Sequence, residues 1–324
     1  MNTAASRLAA SASPPLRRAP DTFAILTMVV LCAIWGFQQV AIKSTNGLIG
    51  PMLQAALRSA IATALVWGWT RARGTRLFAA DGTLGAGLVA GLLFAGEFVC
   101  IFLGLTLTSA SRMAVFLYTA PCFTALGLHF FVPGERMRAV QWLGIVVAFA
   151  GMALAFADGF ARAPAAGAVL TGLAGDALGV LAGALWAATT VVVRATSLSH
   201  TSASKTLFYQ LSVSAVVLFA LALLRGETHT IHITALAVAS LAYQAVIVAF
   251  VSYLTWFWLL TRYMASRLSV FSFLTPLFGV TFGVVLLGES FSARFLAASA
   301  LVLAGIVLVN APARRNGAAP TTSA

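Results

Sequence analysis

Ten long apolar stretches constrain what this chain can fold into. Each approaches the roughly 20 residues that an α-helix needs to cross the hydrocarbon core of a bilayer. The composition agrees, because only 9% of the residues are charged, whereas a soluble domain carries about 25%. The sequence therefore predicts an all-α integral membrane protein with ten transmembrane helices, at approximately 22–43, 51–70, 83–106, 109–131, 139–158, 172–194, 205–225, 233–260, 267–287 and 291–310.

The basic residues predict the orientation of these helices. Cytoplasmic loops of membrane proteins are enriched in Lys and Arg. If the N-terminus is cytoplasmic, most of the 20 basic residues lie on that side. We therefore expect a multi-pass protein of the bacterial inner membrane with both termini in the cytoplasm. The basic residues expected on the opposite side are Lys43, Arg112, Arg162, Arg225 and Arg294.

Polar landmarks recur in the two halves of the sequence at an offset of 151 to 155 residues. Apolar similarity alone does not hold polar residues in register, so we interpret the halves as repeats. Each repeat has an odd number of helices, so the second enters the membrane from the opposite side and the pair is inverted around a central cavity. The landmarks are Trp35-x7-Lys43 with Trp186-x7-Arg194, Ala110-Ser111-Arg112 with Ala265-Ser266-Arg267, Pro121 with Pro276, and Gly134-Glu135 with Gly288-Glu289.

The same landmarks divide the chain into segments. Residues 1–21 are predicted to be a disordered cytoplasmic tail because they are rich in Ala, Ser, Pro and Arg. Repeat 1 is predicted at 22–158 and repeat 2 at 172–310, joined by a linker at 159–171 that is rich in Ala, Gly and Pro. Residues 311–324 are predicted to be a cytoplasmic C-terminal tail.

Taken together, these features resemble the EamA-type family of the drug/metabolite transporter superfamily. The resemblance covers residues from about 22 to 310. It implies a ten-helix basket around a central cavity, with the fifth and tenth helices at the periphery. Within the family the overall similarity is to an exporter of aromatic amino acids. It implies export of amino acids or related small metabolites by alternating access.

Two ionisable residues, Arg58 and Glu97, lie well inside predicted spans. A charge at that depth is costly and faces a partner or a wet cavity. The first hypothesis is that the two form an ion pair between neighbouring helices. The second is that one or both face the cavity and meet the solute or a proton. A single buried acid is compatible with both proton exchange and facilitated diffusion.

Aromatic residues form a second group of candidate cavity residues. Phe94 and Phe98 lie one helical turn apart beside Glu97. Each of these residues either lines a cavity for a partly apolar solute or only packs between helices. Prolines remove a helix hydrogen bond, so Pro121 and Pro276 predict kinks at matching places in the repeats. The remaining aromatic candidates are Trp35, Tyr118, Trp186, Phe250, Tyr253 and Trp256.

Other functional classes are disfavoured by what the sequence lacks. It has no Walker A, H-E-x-x-H or G-x-S-x-G motif, and Cys32, Cys100 and Cys122 form no C-x-x-C pair. We expect neither an enzyme nor a scaffold, and no metal, cofactor or nucleic-acid partner. The expected partners are a small-molecule substrate and the lipid bilayer, and a monomer is compatible with the sequence. A carrier of the same fold for a drug, a quaternary amine or a nucleoside-like metabolite is the alternative.

Overall fold

The chain is helical throughout its described part. The computed structural model describes residues 17–43, 45, 47–105, 107–108, 110–157, 169–229, 231–287 and 293–311. The helices, labelled in chain order, are α1 (Thr22–Lys43), α2 (Pro51–Ala72), α3 (Leu84–Leu105), α4 (Ala110–Leu117 and Ala120–Phe131), α5 (Ala139–Ala155), α6 (Val169–Ala195), α7 (Ala203–Leu224), α8 (Ala235–Arg262), α9 (Ala265–Leu268, Ser269–Phe273 and Leu274–Leu287) and α10 (Ala293–Asn310).

Within the described residues, eight helices are long and apolar enough to cross a membrane. The predicted class of all-α membrane protein is thereby confirmed. Helix α5 is apolar but shorter, at 17 residues. Helix α2 has 22 residues, but Gln54 and Arg58 lower its hydropathy. The ends of the predicted spans lie within three residues of the described helix ends.

The first and last described residues, Arg17 and Ala311, lie at the same end of the helix bundle, which we call the termini end. There, Arg138 donates a hydrogen bond to the carbonyl of Ala311, and Arg17 donates one to the carbonyl of Ser199. The loops between α2 and α3, α4 and α5, α6 and α7, and α8 and α9 all lie at this end. The opposite end carries the loops between α1 and α2 and between α7 and α8, which meet where the His232 N–H donates to Leu48.

The predicted tail departs from the prediction at residues 17–21, which are packed against the bundle. Arg18 forms an isolated parallel bridge with Tyr263, and the hydroxyl of Tyr263 donates to the carboxylate of Asp21. These bonds order a segment whose composition alone predicts disorder. The rest of both tails and residues 158–168 of the predicted linker lie outside the described residues. Helix α6 begins at Val169, three residues before the predicted start of repeat 2.

Glycines let neighbouring helices approach closely, as small residues commonly do in membranes. A Cβ placed on Gly305 of α10 would lie 2.5 Å from the carbonyl oxygen of Gly144 on α5. A Cβ on Gly87 of α3 would collide with the ring of Tyr209 on α7. Helices α5 and α10 therefore form a tight pair, which meets the remaining helices mainly through α9 and α4.

Three helices are interrupted near the middle of the bundle. The α-helix of α4 ends at Leu117 and resumes at Ala120, since Pro121 has no N–H to donate to the carbonyl of Leu117. In α9, a 3₁₀ stretch from Ser269 to Phe273 precedes Pro276. The middle of α8, Tyr243–Ser252, is a π-helix, a form that is frequent at functional sites.

Candidate functional site

A cavity lies in the centre of the bundle, between the two predicted repeats. It encloses about 830 Å³ of space not filled by protein atoms, including the space at its mouth. Its lining comes from α1, α3 and α4 of the first half and from α6, α7 and α8 of the second. The lining residues are Trp35, Gln38, Phe94, Glu97, Phe98, Ile101, Leu117, Tyr118, Trp186, Thr189, Thr190, Gln210, Tyr253, Trp256 and Phe257.

The aromatic rings of the wall are held against one another edge to face. Trp35 on α1 contacts both Tyr253 and Trp256 on α8, with ring centroids 6.4 and 6.0 Å apart. The ring of Tyr253 also meets Phe94 on α3 at 6.0 Å. Such edge-to-face pairs stabilise the arrangement beyond area burial alone. The cavity wall is therefore preassembled from helices of both halves.

The indole N–H of Trp35 is satisfied within the wall. It donates a hydrogen bond of 2.9 Å to the hydroxyl of Ser252. That hydroxyl in turn donates to the carbonyl of Val248, one turn earlier in the π-helix of α8. The Trp35 ring is thus fixed in place, and its donor is not free to bind a solute.

Glu97 and Arg58 differ in how they meet the cavity. Glu97 is 8% exposed and lines it, whereas Arg58 is only 1% exposed and does not. No salt bridge within 4.0 Å joins the two side chains, although Arg58 lies close enough to act electrostatically on the carboxylate. The guanidinium of Arg58 instead packs 4.4 Å from the centroid of the Phe98 ring. Its Nε and Nη2 have no hydrogen-bond partner in the described part of the chain.

The neutral polar side chains of the cavity lie mainly on α6 and α7. Gln210 is 1% exposed, and its Nε2 has no hydrogen-bond partner among the described residues. The hydroxyls of Thr189 and Thr190 donate to backbone carbonyls of α6. Their oxygens can therefore accept a hydrogen bond, while Gln210 can donate one.

The structure brings together most of the residues singled out in the sequence. Arg58 lies behind the wall, and Phe250 packs against Trp69 at a ring-centroid distance of 6.3 Å. Sequence reasoning missed the neutral polar residues. Gln38 lies three residues after Trp35 and therefore on the same face of its helix. Thr189 and Thr190 lie three and four residues after Trp186 and share its helix face in the same way. That spacing was the available signal. The candidates that line the cavity are Trp35, Phe94, Glu97, Phe98, Tyr118, Trp186, Tyr253 and Trp256.

A buried polar cluster closes the structure at the termini end. The carboxylate of Glu135, between α4 and α5, accepts a hydrogen bond from Arg194 at the end of α6. It also accepts from the N–H groups of Ala265 and Ser266, which begin α9, and from the Ser266 hydroxyl. A carboxylate at a helix N-terminus is favoured by the helix dipole. These four residues, the Glu135 cluster, join three helix ends that belong to both predicted repeats.

Arg17 spans a second, smaller cavity beside this cluster. Its guanidinium donates to the carbonyls of Thr261 and Ser199, so the N-terminal segment connects the last turn of α8 to the α6–α7 loop. Phe257 lines both this smaller cavity and the central one. The smaller cavity is also lined by Arg194 of the Glu135 cluster.

Among the described residues, no group of three or more His, Cys, Asp or Glu side chains could hold a metal ion. Cys32 and Cys100 are buried free thiols. His129 accepts a hydrogen bond from the N–H of Met137. These residues have structural contacts, and none of them lines the central cavity.

A central cavity lined by helices of two halves is the arrangement that many membrane transporters use for their binding site. The family comparison makes this specific, because the model of the EamA-like transporter family matches residues 22–157 and 173–311. The chain belongs to this family. It is accordingly a multi-pass membrane transporter and not an enzyme, as the sequence predicted.

Curated relatives cover nearly the whole chain. One is named an uncharacterized transporter, YvbV, of Bacillus subtilis, with 26% identity over 94% of this chain and 97% of the relative. Another is named a probable amino-acid metabolite efflux pump of Salmonella typhimurium, with 27% identity over 89% of this chain and 94% of the relative. A solved crystal structure has the same fold, with a TM-score of 0.75 at 22% identity over 90% of this chain and 99% of that one.

Proposed function

We propose that this protein exports amino acids or related small metabolites from the cytoplasm by alternating access. The observation that carries the proposal is the central cavity, whose wall includes two pairs of corresponding helices of the two halves, α1 with α6 and α3 with α8. Trp35 on α1 and Trp186 on α6 occupy equivalent positions, as do the aromatic faces of α3 and α8. A midplane site between repeats is the arrangement on which alternating access is commonly built.

The proposed architecture has ten transmembrane helices in two inverted repeats, 22–158 and 172–310. The two separate ranges matched by the family model support the division. Helices α2 and α5 complete the ten, although they are less apolar or shorter than the others. Arg58, which contributes to the lower hydropathy of α2, is buried behind the cavity wall against the Phe98 ring.

The Glu135 cluster supports a transport cycle in which the cavity is sealed from the cytoplasm in this state. With the termini in the cytoplasm, the termini end faces that compartment. Glu135 and Arg194 have only 2% and 3% of their side-chain surfaces exposed. Breaking this buried pair without replacement would be costly, so opening requires the helix ends that it joins to move together.

Amino-acid export is favoured over the alternative solute classes by the relative named a probable amino-acid metabolite efflux pump. The finer resemblance to YddG, an exporter of aromatic amino acids, is consistent with eight aromatic rings among the 15 lining residues. A carrier for a drug, a quaternary amine or a nucleoside-like metabolite is the second candidate. Its supporting observation is the single acidic side chain in an aromatic wall.

The test is flux of radiolabelled metabolites in liposomes, with and without a pH gradient. Trp256→Ala removes a ring that lines the cavity, and the loss of about 1–3 kcal/mol of contact should raise the apparent dissociation constant about 5- to 150-fold. Trp258→Ala is the matched control, because that ring contacts Phe23 outside the cavity. Unchanged flux in a folded Trp256→Ala protein would assign this ring to packing, and absence of flux for every amino acid would overturn the proposed substrate.

A further inference from the structure

Charge is distributed unevenly around the central cavity. Glu97 is the one ionisable carboxyl among the described lining residues, and no Lys, Arg or His lines the cavity with it. No described residue donates a hydrogen bond to its carboxylate. A carboxylate in a poorly solvated wall needs a cationic or hydrogen-bonding partner. The wall thus offers a carboxylate that has no direct ion-pair or hydrogen-bond partner among the described residues.

Arg58 does not supply a complementary cationic site for a ligand. Its guanidinium packs on the ring of Phe98, which itself lines the cavity, and only 1% of Arg58 is exposed. A ligand carboxylate could reach Arg58 only if Phe98 moved. Arg58 therefore offsets part of the field of Glu97 from behind the wall, while the surface that a solute meets carries the acid.

The rings around Glu97 strengthen the preference for a cation. Phe94 and Phe98 flank it on α3, with ring centroids 5.1 Å apart, and Tyr253 lies against Phe94. Aromatic faces attract ammonium groups, most strongly where water is excluded. An acid flanked by aromatic faces is a site for an organic cation.

The neutral polar residues Gln210, Thr189 and Thr190 lie at a different depth of the cavity from Glu97. Helices α3 and α7 both begin at the termini end. At 1.5 Å per residue, Glu97 lies roughly 9 Å further from that end than Gln210 does. The Nε2 of Gln210 is a buried donor without a partner among the described residues, and Thr189 and Thr190 can accept beside it. A neutral polar group of a ligand can both accept and donate hydrogen bonds there. A ligand carboxylate would find one amide donor and no cationic side chain.

Resting on the proposed function, we infer that the substrates are monocationic amines: their ammonium group binds Glu97, their apolar body lies among the rings, and a neutral polar group binds Gln210. The inference narrows the class from amino acids in general to amino compounds whose acid function is absent or masked as an alcohol, ester or amide. Free amino acids, which carry a carboxylate, are weaker ligands.

Three probes with the same phenyl body test this class by binding to the purified protein in detergent. Phenylalaninol carries an ammonium and a hydroxyl, phenylalanine replaces the hydroxymethyl group with a carboxylate, and 3-phenyl-1-propanol lacks the amine. We expect phenylalaninol to bind at least about 10-fold more tightly than 3-phenyl-1-propanol, the ratio of one good cation–aromatic contact. It should also bind more tightly than phenylalanine, because the phenylalanine carboxylate would be buried without a cation among the lining residues. Equal or tighter binding of phenylalanine would overturn the inference, and this comparison needs no mutant.

Variants then assign the two ends of the site. Glu97→Gln should abolish the preference of phenylalaninol over 3-phenyl-1-propanol, whereas Glu227→Gln, which removes an acid outside the cavity, should retain it. Phenethylamine lacks the hydroxymethyl group of phenylalaninol. The tighter binding of phenylalaninol than of phenethylamine should be lost in Gln210→Leu. It should be retained in the control Ser212→Ala, which changes a residue two positions further along the same helix. A preference that survives Glu97→Gln in a folded protein would contradict the assignment.

Liposome flux separates failure of the inference from failure of the proposed function. Tight binding of phenylalaninol without flux would support the inferred binding site and contradict the proposed transport function. If phenylalanine is transported and binds more tightly than phenylalaninol, the proposed transport function is supported and the inferred substrate class, monocationic amines, is contradicted.

Discussion

Arg58 is a buried guanidinium whose closest described contact is an aromatic ring. It lies 4.4 Å from the centroid of Phe98, with Nε and Nη2 unpaired within the described chain. Burying such a charge is costly, and the ring, together with the field of Glu97, offsets part of that cost. Phe98 thus has two roles at the residue scale: one face covers Arg58, and the ring also forms part of the cavity wall.

Replacing Phe98 tests how strongly the protein depends on this contact. Phe98→Leu keeps an apolar side chain but removes the ring that faces Arg58. The contact of a desolvated cation with a ring is worth about 2 kcal/mol, so we expect a lower melting temperature in detergent than for Phe102→Leu. Phe102 is one turn further along α3, where it packs on the Phe98 ring and the apolar core. Equal melting temperatures of the two variants would show that Arg58 does not depend on the ring.

At the scale of elements, the apolar runs predict where the helices lie because each run is long enough to need the bilayer. The prolines predict interruptions of α4 and α9. The π-helix of α8 has no such signal, since Tyr243–Ser252 contains neither Pro nor Gly. Its geometry arises from packing around Ser252 and Trp35, which is tertiary information. Gln210 was missed for the same reason, because a lone Gln in an apolar helix does not reveal whether it faces the cavity.

The loop between α2 and α3 is tied to the start of α7 by an ion pair. The carboxylate of Asp81 accepts from the Lys205 ammonium at 2.7 Å and from the Thr83 hydroxyl at 2.6 Å. These bonds lower the pKa of Asp81 to about 2. Because the folded pKa lies below the ordinary value of about 3.9, the stabilisation is complete above that value and is lost as the pH falls towards 2.

Acid titration of stability checks this pair. The melting temperature of the wild type should fall between about pH 4 and pH 2, and Asp81→Asn should remove the part of that decrease that belongs to this carboxylate. Asp21→Asn serves as a control at the same end of the bundle, because Asp21 bonds Tyr263 rather than Lys205. A wild-type profile that Asp81→Asn leaves unchanged would contradict the assignment.

At the scale of the whole molecule, the polar contacts at the termini end agree with the positive-inside distribution of the sequence. Arg71, Arg73 and Arg262 lie at this end, each over the ring of a Trp four residues earlier in its helix. Trp and Arg at a helix end are typical of the membrane interface. The proposed orientation therefore places this end in the cytoplasm.

Cysteine labelling tests the orientation directly. In a variant with the three native cysteines replaced by Ala, Arg76→Cys reports on the termini end and His232→Cys on the opposite end, and both positions are exposed. A membrane-impermeant maleimide should label His232→Cys in intact cells, and Arg76→Cys only after permeabilisation. The reverse pattern would invert the topology, and labelling of both in intact cells would contradict the odd number of crossings, α3 to α7, between the two positions.

The Glu135 cluster makes a prediction about how the whole molecule opens. It joins the α4–α5 loop to the ends of α6 and α9, so its loss should release helix ends of both repeats together. Glu135→Gln leaves Arg194 buried without its anion, which favours states in which Arg194 is hydrated.

Thr206 lines the small cavity beneath the cluster and is 2% exposed. Thr206→Cys, in the background without native cysteines, reports on opening through its rate of reaction with a soluble maleimide. This rate should rise at least about 10-fold when Glu135→Gln is added, which corresponds to a shift of about 1.4 kcal/mol in the opening equilibrium. Asp21→Asn, which removes an acid from the same end but outside the cluster, should leave the rate unchanged. If Glu135→Gln lowers the melting temperature while Thr206→Cys reacts no faster, the cluster stabilises the fold without controlling access to the cavity.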